Sequence, residues 1–256
     1  MAVHWIERGM FFETALKRLV PAEIVLDIGC GIRPQPYVRP LVHICCDPFE
    51  QYLARLDETL RDAHDRSYVL VKASWAEAVR MFPPKSVDTV FLVDVVEHVE
   101  KEEAVALLAE TTKIARRQVA VFTPLGFYPQ EYAGGPDAWG LDGGRWQAHK
   151  SGWIPEDFDG SWDVYATREF HTEDGRGIPL EKAFGALWAI RTVAEENGSG
   201  GEPSLKEKIR TIHDIAVNNS EGGLNLFVRL MKLGERIKTS KSCLFLHRVF
   251  FGKGRS

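Results

Sequence analysis

The sequence predicts an α/β protein with a mostly parallel sheet covered by helices on both faces. Three observations lead there. Apolar runs over residues 24–28, 41–46, 68–72, 87–93 and 118–123 recur with helical segments between them, the alternation that buries parallel strands under helices. The first run, Val25-Leu26-Asp27-Ile28, ends in the turn Gly29-Cys30-Gly31, where missing Cβ atoms let a ligand reach the backbone. The second run, Leu41–Cys46, ends in Asp47. That carboxylate lies about 20 residues beyond the start of the loop, the spacing at which nucleotide-binding α/β folds hold a ribose by its hydroxyls. Together they predict a ribose-bearing cofactor at the carboxyl ends of the strands.

The remaining elements follow in order. Ile6, Met10, Phe11, Leu16 and Leu19 predict a helix over 4–19, stopped by Pro21. Glu102, Ala104, Val105, Leu107, Leu108 and Ile114 predict another over 102–116, between the fourth and fifth runs. Residues 124–161 have no sustained period and hold Trp139, Trp146 and Trp153 among many glycines. So long a stretch inside a compact domain reads as a lid or binding loop. Trp162–Phe170 and Phe184–Arg191 are β-like, and 195–203 reads as a linker. The expected organisation is a domain over 1–194, the linker, and a helical basic extension over 204–256.

Composition narrows the function classes. The chain of 256 residues supports one large α/β domain with an appended piece. Its fractions of 45% apolar and 27% charged residues are those of a globular protein. No apolar run approaches the ~18 residues of a membrane span, and Met1–Glu7 lacks a secretion signal. Cys30, Cys45, Cys46 and Cys243 lack zinc-type spacing and read as reduced thiols, so the expectation is a cytoplasmic protein. Arg229–Ser256 carries eight basic residues against Glu235, leaving the preceding body at −11. An acidic body argues against a general nucleic-acid footprint. Leu226, Leu230, Leu233 and Ile237 form a stripe beside Arg229, Lys232 and Arg236, with Phe245, Phe250 and Phe251 further on. Such an element either lies on an anionic membrane surface or packs on the body or an oligomer partner. Oligomeric state stays open.

The loop excludes one cofactor class. A dinucleotide fingerprint requires a third glycine opening into a helix, but Arg33-Pro34-Gln35-Pro36 follows the turn, and prolines there disfavour a helix start. No Gly-Lys-Ser/Thr phosphate loop is present. Strand, Asp27, Gly-x-Gly and Asp47 together resemble the first motifs of class I S-adenosylmethionine-dependent methyltransferases. After the fourth strand, Asp94-Val95-Val96-Glu97-His98 resembles the Asp-x-x-Glu-His signature of the ubiquinone-biosynthesis and type 11 groups, so the resemblance covers residues 24–123. It implies a Rossmann-like sheet of seven strands, completed by a hairpin over the two later β segments. It also implies S-adenosylmethionine as donor, held by the backbone at Gly29, Cys30 and Gly31, with Asp27 organising the loop and Asp47 on the ribose. Ser74 and Trp75 would meet the adenine, although many relatives carry Asp where Ser74 stands. Asp94 would lie at the methionine end.

The acceptor side is less determined. On a helix starting at 94, the side chains of Asp94, Glu97 and His98 share a face. They either hold a divalent cation, as a Glu-x-x-Glu-His version with another His does in some RNA 2′-O-methyltransferases, or fix the turn by hydrogen bonds; the expectation adopted is no metal. His149 is the candidate base for an acceptor hydroxyl, since imidazole titrates near ~6.5, or else it ties down the loop. Tyr128, Arg145, Trp146 and Trp153 are candidate acceptor contacts, and aromatics among glycines suit a sugar or flat ring. The string from His149 to Phe158 resembles methyltransferases of bacterial surface-polysaccharide clusters. The resulting expectation is O-methylation of a small-molecule, sugar or lipid-linked glycan acceptor, with peripheral membrane contact through the basic extension. Three rivals are a nicotinamide oxidoreductase, a metal-assisted RNA methyltransferase, and a non-catalytic membrane or complex adaptor.

Overall fold

The computed structural model describes residues 2–63, 65–132, 136–193 and 203–220. The chain begins with β1 (Ala2–Trp5), α1 (Arg8–Leu16), β2 (Ile24–Ile28), β3 (Val42–Asp47) and α2 (Glu50–Leu60). It continues through β4 (Ser67–Lys72), α3 (Trp75–Met81), β5 (Val87–Val93), α4 (Lys101–Ile114) and β6 (Ala115–Leu125). The short α5 (Gly144–Gln147) precedes a long hairpin of β7 (Asp163–Glu173) and β8 (Pro179–Thr192), and α6 (Leu205–Ser220) follows. The strands form one sheet in the order β1-β7-β8-β6-β5-β2-β3-β4. Among the described strands only β8 runs antiparallel, between β6 and β7.

Period-two alternation sends successive side chains of a strand to opposite faces. Ile24, Leu26 and Ile28 join a core under α3, α4 and α6, whereas Val25 meets the aromatic core under α1, which holds Phe11, Phe122 and Trp188. Leu53, Leu56 and Leu60 of α2 cover Cys45 and Leu70 on that second side. At the amino ends of the strands, fully buried Asp88 accepts the backbone N–H groups of Glu23 and Ile24 and pairs with Arg116 and Lys208. Burial opposes its charge, but the Ile24 N–H and Arg116 hold its pKa below the ordinary carboxylate value.

The structure departs from the expected elements at three places. An eighth strand, β1, pairs parallel with β7, so the helix expected over 4–19 is shorter and begins at Arg8. The helical spacing of Ile6 and Met10 masks a four-residue strand. No helix lies between β2 and β3, where Pro34, Pro36 and Pro40 hold irregular backbone. The helix expected from Asp94 is instead a bend with Asp94 at φ 52° followed by a 3₁₀ turn, Val96–His98. The linker lies almost wholly outside the described residues, as does the basic segment 221–256 with its proposed amphipathic stripe. The described α6 packs Ile212 and Ile215 into the main core.

Candidate active site

Parallel sheets bind ligands at the carboxyl ends of the strands, where the strand order reverses. Here β2 has β3 on one side and β5 on the other, and a cavity of about 750 Å³ opens at that point. Its walls include Asp27, Gly29, Cys30, Gly31, Asp47, Ser74, Trp75 and Asp94, all eight residues expected for the cofactor.

The end expected to hold the cofactor is built from the backbone of the loop. Gly29 has φ +73° and Gly31 φ +55°, left-handed values that L side chains rarely adopt. Space is also short. A Cβ on Gly29 would lie 2.5 Å from Val95, and one on Gly31 2.6 Å from the Trp139 indole. Asp27 accepts from Gln35 N (2.7 Å) and faces His43 Nε2 at 3.2 Å. Asp47 accepts from Gly31 N through one oxygen (3.0 Å) and Phe49 N through the other (2.9 Å). These bonds draw loop and acid into one crevice. Burial raises the Asp47 carboxyl to about 6, against the lowering effect of the two N–H groups. Ser74 caps α3 in a reciprocal capping box with Glu77, which commits its hydroxyl to the helix end. Trp75 packs against the core while lining the cavity. The Cys30 thiol is buried and turned toward Gly31 O at 3.7 Å.

At the other end three segments converge. Glu97 is buried; its Oε2 accepts from Thr123 Oγ1 at 2.9 Å, and its carboxyl also shares a hydrogen bond with Asp94. Burial, then the nearby Asp94 charge, raises the Glu97 pKa, and burial raises that of Asp94. His98 Nδ1 faces Ala148 O at 3.1 Å, and His149 Nδ1 faces Tyr128 O at 2.5 Å. A carbonyl only accepts, so each Nδ1 carries the hydrogen and each Nε2 keeps its lone pair. Burial lowers both pKa values, to about 4 for His98, where His149 adds to the effect. Both imidazoles are therefore neutral near pH 7. Ligand-type atoms of Glu97, His98 and His149 lie within 4.8 Å of one another. Among the described residues one other such group exists, Asp27, His43 and Cys45, and its carboxylate is already bonded to the loop.

The expected acceptor residues divide. Tyr128, Arg145, Trp146 and His149 line the cavity. Tyr128 is buried, stacked on Phe184 and His171 and edge-on to His149. Arg145 lies over the Trp146 ring, whose buried Nε1 has no partner. Trp153, expected beside the acceptor, is instead a core residue at 0% exposure and is absent from the cavity wall. Its indole donates to Ser151 Oγ, its face carries the Lys101 ammonium at 3.7 Å, and its backbone bonds Gly126. The resemblance string thus serves two ends: Ser151 and Trp153 fasten the lid, and His149 faces the cavity. Sequence reasoning missed His171, which lines the cavity with a buried, unpartnered Nε2 and a pKa lowered to about 4 by burial. Its place on β7 carries no motif to find it by.

No family model matches the chain, and no curated protein does. Solved structures similar to it include TehB from Haemophilus influenzae, at 15% identity and TM-score 0.49, covering 72% of this chain and 62% of that one. A putative methyltransferase from Bacillus halodurans C-125 has 11% identity and TM-score 0.48, covering 73% and 98%. Magnesium protoporphyrin IX methyltransferase from Synechocystis PCC 6803, with bound SAM, has 15% identity and TM-score 0.43, covering 72% and 79%. The likeness concerns backbone arrangement alone.

Proposed function

We propose that the chain transfers the methyl group of S-adenosylmethionine to a hydroxyl of a small ring-shaped acceptor, a sugar or a lipid-linked glycan. One observation carries the donor half. Asp47 ties the Gly-x-Gly backbone to the end of β3 across 16 residues, inside the crevice where the strand order reverses. A ribose there would meet the carboxylate, the methionine end would reach Asp94, and Ser74 and Trp75 would border the adenine. A dinucleotide fits poorly, because no helix N-terminus follows the loop to take pyrophosphate.

Methyl transfer from a sulfonium draws its driving force from the cofactor, so the protein has to align donor and acceptor and exclude water. His149 suits the proton-accepting role, since its Nε2 lone pair is free and its ring is neutral. Trp146, Tyr128 and Arg145 would hold the acceptor ring. Calorimetric titration with S-adenosylmethionine and S-adenosylhomocysteine, with NAD as control, tests the donor. Micromolar binding of the first two alone supports the reading; no binding by folded protein overturns it and favours the adaptor alternative.

A second reading has its own observation. Glu97, hydrogen-bonded to Asp94, is buried beside two imidazoles whose Nδ1–H groups are each fixed by a backbone carbonyl. Fixing one ring nitrogen so that the other offers its lone pair is how metal-binding histidines are held. Glu97, His98 and His149, with Asp94 adjacent, thus fit a divalent cation, which would supply Lewis acidity toward the acceptor oxygen. The turn-fixing role also has support, because Glu97 Oε2 accepts from Thr123 Oγ1 and His98 Nδ1 donates to Ala148 O. Transfer assays on sugar and short RNA acceptors, with EDTA and with added Mg²⁺ or Mn²⁺, separate the readings. Activity indifferent to EDTA removes the metal.

A further inference from the structure

Within the lid, residues 137–143 are fastened to the cofactor side of the cavity. Tyr52, in the first turns of α2 and five residues past Asp47, donates its hydroxyl to Asp137 Oδ2 at 2.5 Å. The same oxygen accepts from Gly143 N, while Oδ1 accepts from Trp139 N (2.9 Å) and Leu141 N (3.0 Å). One buried carboxylate thereby shapes residues 137–143 and locks them to α2. Gly143 is required there, since any Cβ would overlap the Tyr52 ring and hydroxyl. The result is to place the Trp139 indole edge-on to Tyr52, with ring centroids 4.7 Å apart, and directly against Gly31. Trp139 lines the cavity and is still 38% exposed. A large aromatic held half-open by a fully satisfied hydrogen-bond cluster is not core packing. It is an apolar face offered to a ligand.

We infer that Asp137–Gly143 is a cofactor clasp, in which Tyr52 and Asp137 are positioning residues and Trp139 contacts the adenosyl group. The inference rests on the methyl-donor reading above and names a contact outside the Gly loop and Asp47. The clasp runs without a break into α5, which carries Arg145 and Trp146, and then to His149.

S-adenosylhomocysteine is the probe, read by calorimetry and by tryptophan emission on the full chain. In Trp139→Ala, Kd is expected to rise about tenfold, the lower range for losing a stacked base, and most of the ligand-induced emission change is expected to vanish. Trp139→Phe keeps an aromatic face and is expected to restore most of the affinity without the emission change. Tyr52→Phe retains the ring and deletes only the bond to Asp137; a smaller rise in Kd is expected. Equal or tighter binding by folded Trp139→Ala overturns the clasp while leaving the donor reading intact. Failure of the wild-type chain to bind the probe overturns both.

Discussion

The two ends of the cavity are built on different plans. At the cofactor end the carboxylates are spent on the protein itself: Asp27 holds Gln35 N, and Asp47 holds Gly31 N and Phe49 N. At the acceptor end polar atoms are left over, with Trp146 Nε1 and His171 Nε2 buried without partners. Buried polar groups in folded proteins are nearly always bonded; of the exceptions among the described residues these two belong to residues of one cavity wall, and His43 Nδ1 beside Asp27 is one at the other end.

Substitutions should separate the ends. The largest effect is expected for His149→Ala. Loss of a general base costs about 10²–10⁴ in kcat, with S-adenosylhomocysteine affinity unchanged by calorimetry; a large loss of affinity would mean that His149 belongs to the donor site. Next is Asp47→Ala, which removes a ribose partner and frees the loop. It should weaken S-adenosylhomocysteine binding by about 100-fold, or ~2.7 kcal/mol. Binding near the wild-type value would break the assignment of this end. Gly31→Ala should cost about 1–3 kcal/mol in backbone strain, read as a lower Tm together with weaker ligand binding, because the new methyl meets Trp139.

A pH titration sharpens the same contrast. Burial raises Asp47 to about 6, so its ionised form is less favourable in the folded chain than in the unfolded one. Its contribution to stability is full below the ordinary carboxylate range and is lost as pH rises through 6. Binding runs the other way, since a ribose needs the anion. S-adenosylhomocysteine affinity should fall about tenfold per unit below pH 6, and a flat profile would deny Asp47 its role. The smallest change is Ser151→Ala. It strands the Trp153 N–H and frees Val96 O, for about 1–2 kcal/mol of stability, with cofactor binding unaltered. Denaturant unfolding measures it.

The geometry of the loop end of the cavity, where the cofactor is proposed to bind, was legible because its information is local. Asp27, the two glycines and Asp47 lie within one β-loop-β stretch, and strand period and spacing are read along the chain. Local reading failed where a different force prevailed. Ile6 and Met10 keep helical spacing, yet the residues before them pair with β7. Between β2 and β3 the prolines were themselves the legible signal against a helix, and the backbone there is irregular. The acceptor end joins Glu97 and His98 to His149, some 50 residues on, and to His171 on the hairpin. Only the sheet topology brings them together. Trp153 was misplaced because an indole fastening a lid and an indole facing a ligand look alike in sequence.

The short strand β1 has a consequence for handling the protein. It caps the first four residues of β7, Asp163–Ala166, whose outward N–H and C=O groups would otherwise lie unpaired at the border of the sheet. Open borders recruit other chains. Trp5 under Arg168 and His4 against Tyr165 hold the cap in place. Trimming the first few residues, or fusing a bulky tag that pulls them away, would thus promote self-association before it altered the distant cavity.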